Sequence, residues 1–526
     1  FKLNIPSLNF WLIQWLLITF LLGGYRFFLR DLYLKQSQLS VRNKAKKVAI
    51  YGAGQAGRQL YLSLKYSLKY EVIFFIDDSL FLIGRYIHGI KIISYNSLEK
   101  ENRKIEQILI AIPSLNTNKR SLLINKLQKF NLPIFTIPSL EDLDKRNSKI
   151  DYLRPIQVED ILRRDSVKPD PILLKSCIEN KVVCITGGGG SIGSELCCQI
   201  MNLKPKSLLI IEKSEFNLYK IEKKLSTFKN QNVNLKIILN DCLNSEFLRN
   251  LFKENYVQIV FHAAAYKHVP IVEINPIEGI KNNVFSTLAI CEASHKASVS
   301  KFLLVSSDKA VRPSNIMGAS KRLSELIVTA FSDKVHNEKT NSSYTSFSMV
   351  RFGNVLNSSG SVVPLFKEQI SKGGPITITH PEVIRYFMTI REASELMLQA
   401  CSLSKGGELF LLDMGEPIKI IDLAKEMIKL SGLSPKDNEN KEGDIEIVYT
   451  GLRSGEKLYE ELLIDAEATK TDHPLIYKAE ELGLSYSLLM EKLICLKKSI
   501  DDFEQNKVLS ILSELVPEWN KSEAND

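Results

Sequence analysis

The chain carries one strand–turn–helix signature twice, and that repetition restricts its fold more than any other feature. The first copy begins with an apolar strand, Lys47-Val48-Ala49-Ile50-Tyr51, which runs into Gly52-Ala53-Gly54-Gln55-Ala56-Gly57. A helical pattern through Leu60, Leu62 and Leu64 follows, then a strand from Glu71 to Ile76 that closes on Asp77-Asp78. The second copy begins at Lys181-Val182-Val183-Cys184-Ile185-Thr186 and runs into Gly187-Gly188-Gly189-Gly190-Ser191-Ile192-Gly193, with a helix from Ser194. Strands that are apolar throughout and alternate with helices belong in a parallel sheet covered on both faces. Glycines at the turn let a phosphate approach the backbone, and the helix start offers unpaired N–H groups. The expectation is an α/β chain with two tandem doubly wound parallel-sheet domains. Its 526 residues suffice for about three domains.

Both copies have the order of a Rossmann-like dinucleotide fingerprint. In the second, the next strand ends at Glu212, whose carboxylate suits a ribose diol and repels a 2′-phosphate, which favours NAD over NADP. Lys213 and Ser214 follow Glu212, and Asp241 and Cys242 lie just past the next strand, on the adenine side. Ala263, Ala264 and Ala265 end the fourth strand with small residues where a cofactor must lie close. The candidate cofactor contacts are these together with Thr186, Gly187, Gly190, Ser191, Ile192 and Gly193. In the first unit no catalytic group follows the glycines, so it is either a second nucleotide site or a spacer or assembly fold that binds nothing. A connector with Pro155, Pro169 and Pro171 separates the units, and Val158 to Arg164 within it fits a short helix. The expected segments are 1–45 (membrane helix and basic linker), 46–140 (first Rossmann-like domain), 141–180 (connector), 181–480 (NAD-binding domain with a substrate-binding part) and 481–526 (amphipathic helical tail).

An apolar run from Phe10 to Gly24, extended through Phe28 and Leu29, reaches the about 20 residues that a spanning helix needs. Arg26 can snorkel, and Trp11, Trp15 and Tyr25 suit an interface. No basic segment precedes the run and no small-residue cleavage site follows it, so a membrane helix is expected rather than a signal peptide. A buried core helix is the competing possibility. Lys35, Arg42, Lys44, Lys46 and Lys47 come next and place the larger part in the cytoplasm, at the inner membrane. The chain begins with Phe and is expected to be the tail of a longer sequence. None of the eight cysteines forms a C-x-x-C pair, which fits a reducing compartment and no metal site. The net charge of +9 is not gathered on an aromatic-interleaved face, so nucleic acid is not an expected partner. A homo-oligomer, a dimer or larger, is expected.

The chemistry concentrates after the apolar run Phe302-Leu303-Leu304-Val305. There stand Ser306-Ser307-Asp308-Lys309-Ala310-Val311 and, further on, Met317-Gly318-Ala319-Ser320-Lys321-Arg322. These residues resemble the segment in which a short-chain dehydrogenase/reductase carries its Ser/Thr and its Tyr-x-x-x-Lys pair. The tyrosine position holds Met317, whose thioether has no proton to give or take. Lys321 remains one helical turn on, on the same face. A site without the phenol but with an adjacent Asp308-Lys309 pair points to proton chemistry beyond alcohol oxidation, and elimination is the natural candidate. The plainer alternatives are a surface ion pair for Asp308-Lys309 and a helix-surface lysine for Lys321.

From about residue 155 to 475 the sequence resembles the membrane-associated nucleotide-sugar 4,6-dehydratases of bacterial polysaccharide synthesis. The resemblance rests on TGGGGSIGSEL (186–196), FHAAAYKHVPIVE (261–273), SSDKAVRPSNIMGASKR (306–322), VRFGNVLNSSGSVVPLFKEQI (350–370), RYFMTI (385–390), LDMGEP (412–417) and TGLRSGEKLYEELL (450–463). Ser307 stands where threonine is common, and Ser454 where proline is. The long members of that family are similar in lacking the tyrosine. The resemblance implies bound NAD, UDP-N-acetylglucosamine as substrate, UDP-2-acetamido-2,6-dideoxy-α-D-xylo-hexos-4-ulose as product, and retention at C5. It implies Lys309 as the base at C5, Asp308 as the acid to O6, Ser307 on O4 and Lys321 on the nicotinamide ribose. The acceptor of the O4 proton stays open between Asp308 and a water held by Lys321. Candidates for the diphosphate are Arg351, Asn354, Arg385 and Arg453, with Glu456 orienting Arg453; a packed ion pair is the alternative for Arg385. Lys267 and His268 are candidate sugar contacts. A C4 epimerase and a membrane-tethered nucleotide-sugar sensor or scaffold are the competing functions.

Overall fold

The computed structural model describes residues 8–42, 45–137 (except 68, 114, 116 and 131), 154–155, 167–228 (except 168), 233–338, 344–437, 440–463 and 468–520 (except 482). The short helix expected over Val158 to Arg164 lies outside them. The chain divides into two compact units, Phe1–Arg163 with Lys429–Leu433, and Arg164–Ile428 with Ser434–Asp526.

The first unit opens with a helix over Leu8–Arg42. Its segment Trp11–Asp31 is long and apolar enough to cross a membrane: 21 residues, each rising about 1.5 Å, match a hydrocarbon core of about 30 Å. Trp11, Trp15, Phe20 and Phe28 are exposed along it, which is not the packing of a core helix. The sheet of this unit runs Tyr86–Ile87, Ile90–Ile93, Tyr70–Ile76, Lys46–Tyr51, Gln107–Ile110, Ile134–Thr136, Arg154–Pro155. Its central strands are parallel. Asp77 caps the glycine turn, accepting the N–H groups of Ala53 and Ser79 at 2.8 and 2.9 Å.

The second unit is built on a nine-stranded sheet. Seven parallel strands lie in the order Asn234–Leu239, Ser207–Glu212, Val182–Thr186, Ile259–His262, Lys301–Val305, Ser346–Arg351, Leu409–Leu412. Ile476–Ala479 and Thr469–Lys470 add an antiparallel edge. Val182 to Thr186 are buried throughout because helices cover both faces, as their unbroken apolar run requires. The strand order reverses between Val182–Thr186 and Ile259–His262, and such a switch point opens a crevice at the carboxyl ends of the strands. A smaller part closes over those ends, with Ile376–Ile378 paired to Ile445–Tyr449 and Ile384–Arg385 to Ile418–Lys419. The C-terminal tail forms two helices, Tyr486–Asp501 and Gln505–Leu515, joined through Phe503 at φ +55°. Their apolar faces, with Leu489, Leu493, Leu496, Val508 and Leu512, join the main core against the helix Ile316–Asn337. Seven of the eight cysteines are buried and all are free thiols.

Candidate active site

The carboxyl ends of the strands and the smaller part of the second unit line a cavity of about 910 Å³. The glycine turn forms its floor. Gly187 has φ +67°, and a Cβ there would lie 2.7 Å from Ala264 Cα; a Cβ on Gly193 would lie 2.1 Å from the Gly187 carbonyl oxygen. Side chains are excluded at both positions. The helix Ser191–Asn202 starts from this turn with Gly190 as a cap that makes no side-chain bond. Its first amides are therefore open to an anion, which suits a phosphate-bearing cofactor. Ile192, Ala263 and Ala265 line the same floor. Ser191 Oγ accepts the N–H of Ser359 at 3.1 Å and so ties the turn to the opposite wall.

The other cofactor candidates, Lys321 apart, surround this floor without lining it. Glu212 accepts the N–H groups of Gly189 and Ser214, both at 3.0 Å, which fixes its carboxylate at the strand end. Lys213 donates to the Tyr266 hydroxyl and lies 4.7 Å over that ring. Asp241 is exposed and accepts the Leu243 N–H. Cys242 sits in the core, its thiol pushed up to about 12 by burial and by the Asp241 and Glu212 charges, so it has no reactive role. The Thr186 hydroxyl is 2.7 Å from the His262 ring, which burial, and then the Lys321 charge, pull down to about 3. His262 is thus a neutral structural hydrogen-bonder.

The catalytic candidates converge on one end of the cavity. Past Val305, Ser306 and Ser307 both border the cavity, and the Ser306 Oγ donates to the buried Glu325 at 2.6 Å. Ser307 Oγ accepts the Lys309 amide and donates to Asp308 Oδ1 at 2.8 Å. Lys309 Nζ donates to Asp308 Oδ1 at 3.0 Å and to Asn354 Oδ1 at 3.3 Å. Asp308 is only 2% exposed, and its Oδ2 has no hydrogen-bond partner. Burial pulls the Lys309 amine down, but the carboxylates of Asp308 and Glu460 outweigh it and hold Lys309 above the ordinary lysine value. Gly318 lets the helix Ile316–Asn337 abut this turn, since a Cβ there would lie 2.2 Å from the Lys309 carbonyl oxygen. Met317 and Lys321 consequently face the cavity from the first turns of that helix. Lys321 donates to the Val305 carbonyl at 2.8 Å, and burial, opposed by Glu325, lowers it to about 8.

Among the substrate candidates, Lys267, His268, Asn354, Arg385, Arg453 and Glu456 line the cavity and Arg351 does not. Arg351 is fully buried, and its five N–H groups are spent on Glu325, Glu481 and the Leu462 carbonyl. With no donor left, it cannot bind a diphosphate. Glu456 also departs from expectation. It accepts from Thr379 and lies 3.5 Å from Arg385, and it meets the Arg453 backbone, accepting its N–H and donating to its carbonyl, rather than the guanidinium. Arg385 lines the cavity while donating to the carbonyls of Ile384, Lys457 and Leu458, so it organises the 456–460 loop. Among the described residues no cluster of three or more His, Cys, Asp or Glu side chains has metal-site geometry.

A model of the polysaccharide biosynthesis protein family matches residues 183–481. The chain belongs to that family. It is 39% identical over 516 residues to the capsular polysaccharide biosynthesis protein CapD of Staphylococcus aureus, across 96% of this chain and 82% of that protein. It is also 32% identical over 315 residues to the UDP-glucose 4-epimerase of Rickettsia bellii, across 59% of this chain and 84% of the epimerase. Among solved structures, Pen from Bacillus thuringiensis is similar at a TM-score of 0.50 and 33% identity, covering 59% of this chain and 89% of Pen. The second unit is thus of the short-chain dehydrogenase/reductase type.

One cavity residue was not anticipated from the family motifs. Glu460 lies late in the TGLRSGEKLYEELL stretch, lines the cavity, and stands 3.5 Å from Lys309. Its glutamate is visible in the sequence, but nothing local ties it to a lysine on another element.

Proposed function

We propose that the chain is an NAD-dependent 4,6-dehydratase that converts UDP-N-acetylglucosamine to UDP-2-acetamido-2,6-dideoxy-α-D-xylo-hexos-4-ulose with retention at C5. The reaction is an early step of surface polysaccharide synthesis, at the inner membrane, with both larger domains in the cytoplasm. The observation that carries this reading is the Asp308-Lys309 pair at the strand end, in contact at 3.0 Å, with proton-less Met317 across from it. Alcohol oxidation alone needs neither feature.

The glycine turn fits NAD, since side chains are excluded from it and helix amides open onto it. Gly187, Gly190 and Gly193 hold the pyrophosphate, Glu212 the adenosine ribose and Lys321 the nicotinamide ribose. When bound, NAD supplies hydride acceptance from C4 and its return at C6, so no net oxidation occurs. The protein supplies the proton steps. A proton moved across the Lys309–Asp308 contact frees the amine and loads the carboxyl together. Lys309 then takes the C5 proton, made acidic by the C4 ketone. The C6–O bond breaks as Asp308 protonates that oxygen, water leaves, and Lys309 returns a proton to C5 once C6 has received hydride. Ser307 holds O4, whose proton goes to a water held by Lys321, since Asp308 already carries the Lys309 proton. Arg453 and Asn354 meet the diphosphate, and Lys267 and His268 the sugar.

Mass spectrometry of the sugar after incubating the full chain with NAD and UDP-N-acetylglucosamine in D2O tests this. Loss of one water with one solvent deuteron at C5 is expected. Inversion at C4 without water loss would establish an epimerase instead, the activity named for the Rickettsia relative. An unchanged sugar despite bound NAD would favour a sensor or scaffold. Gly193→Val is expected to abolish NAD binding in calorimetric titration with the far-ultraviolet circular dichroism unchanged, because the new side chain overlaps the Gly187 carbonyl.

A further inference from the structure

Glu460 has no part in the proton steps above, yet the fold delivers it to Lys309 by a specific clamp. Ser314 Oγ and Asn315 Nδ2 donate to the Gly455 carbonyl at 2.7 and 3.0 Å. Lys457 Nζ donates to the Val311 carbonyl at 3.0 Å, and Arg385 donates to the Lys457 and Leu458 carbonyls. The loop is thereby fastened to the turn that carries Asp308 and Lys309. Glu460, its side chain 5% exposed, ends 3.5 Å from Lys309 Nζ and 3.8 Å from Arg385 Nε. Its Oε2 is buried without a hydrogen-bond partner, as is Asp308 Oδ2. Orphaned carboxylate oxygens at this depth cost stability, and they are tolerated where a proton or a substrate group completes them.

The Lys309 ammonium has three N–H groups, and three oxygens surround it: Asp308 Oδ1, Asn354 Oδ1 and Glu460 Oε1. Asn354 carries no charge. Asp308 is neutralised when it takes the Lys309 proton. Burial raises the Glu460 carboxyl against the Lys309 and Arg385 charges, and when ionised Glu460 is the anion that remains beside the amine.

We propose that Glu460 is a positioning residue for Lys309, holding the amine against Asp308 and setting the pH up to which the pair keeps its shared proton. The catalytic consequence rests on the dehydratase reading, whereas the contact itself does not. The charged groups that face Lys309 are Asp308 on its own turn, Glu460 and Arg385 on the smaller part, and Lys267 on the loop after Ile259–His262. Only the second changes in Glu460→Gln, an isosteric variant that keeps an oxygen in place. An anion this close favours the ammonium form, so its removal makes the amine easier to deprotonate. The pair works with one proton shared between Lys309 and Asp308, so losing that proton to solvent ends catalysis, and the falling limb of kcat against pH moves to lower pH.

The test measures two quantities on the full chain, with wild type, Glu460→Gln and Glu460→Asp. One is kcat for water loss from UDP-N-acetylglucosamine against pH. The other is acetylation of Lys309 by acetic anhydride against pH, read by peptide mass spectrometry, which needs no turnover. Both midpoints are expected to fall by about one pH unit in Glu460→Gln, with KM little changed. Glu460→Asp is expected to keep the wild-type midpoints at a lower kcat. Unmoved midpoints in Glu460→Gln, or an effect confined to KM, would overturn the role of Glu460. A shifted acetylation curve in a protein whose wild type releases no water would uphold the Glu460–Lys309 pairing and sink the dehydratase reading alone.

Discussion

Lys309→Ala is expected to slow water loss from the sugar by about 100- to 10,000-fold, the range a positioned base contributes, and to stop deuterium uptake at C5. NAD affinity should stay at the wild-type level, because Lys309 makes no contact with the glycine turn: its partners are Asp308, Asn354 and Glu460. Asp308→Asn is expected to cost nearly as much. The amide cannot take the lysine's proton, so the variant loses the acid and leaves the base charged. The double variant should then be hardly slower than either single one, since groups that act as a unit are far from additive. Kinetics of the three variants beside C5 exchange by mass spectrometry check this. Losses that multiply would mean that Lys309 and Asp308 act in separate steps, without the shared proton.

How much of this was legible in the sequence follows from how local each feature is. The glycine turns, the parallel strands and the Ser307-to-Lys321 segment were legible because each is set within a strand end and one or two helical turns. The excluded Cβ positions at Gly187 and Gly193 are the physical form of that signal. Arg351 was misjudged because an arginine at a strand end beside a cavity looks like a ligand for phosphate. Its partners are 26 and 130 residues away, and no spacing rule links them. Glu456 was assigned to the Arg453 side chain, while its carboxylate reaches Thr379, Arg385 and the backbone N–H of Arg453. Amphipathic periodicity marked the C-terminal tail as helical. It does not say which surface a helix covers, and here the two helices complete the core over Ile316–Asn337.

The misjudged arginine makes the largest stability prediction. Arg351→Leu should destabilise the second unit by about 3–5 kcal/mol, because it strands a buried carboxylate. That is a large share of a typical domain stability of about 5–15 kcal/mol. Glu325 is fully buried; burial raises its carboxyl, but Arg351 first, then Arg322 and Ser306, overcome that and hold it at about 2. A depressed carboxyl contributes stability that is present above its unfolded value and lost as pH falls through the folded one. In wild type that loss runs from about 4.5 down to about 2. Without Arg351 the Glu325 carboxyl rises toward or past its unfolded value, and this loss shrinks. The gap between wild type and variant in urea unfolding should therefore narrow from pH 7 to pH 4. His262, pulled down to about 3, titrates on the same acid side in both proteins and cancels in the difference. A gap that stays constant with pH would mean that Arg351 acts through packing alone. A gap that narrows would assign the Ser306–Glu325–Arg351 network to fixing, by charge, the strand end on which Ser307 and Lys309 are carried.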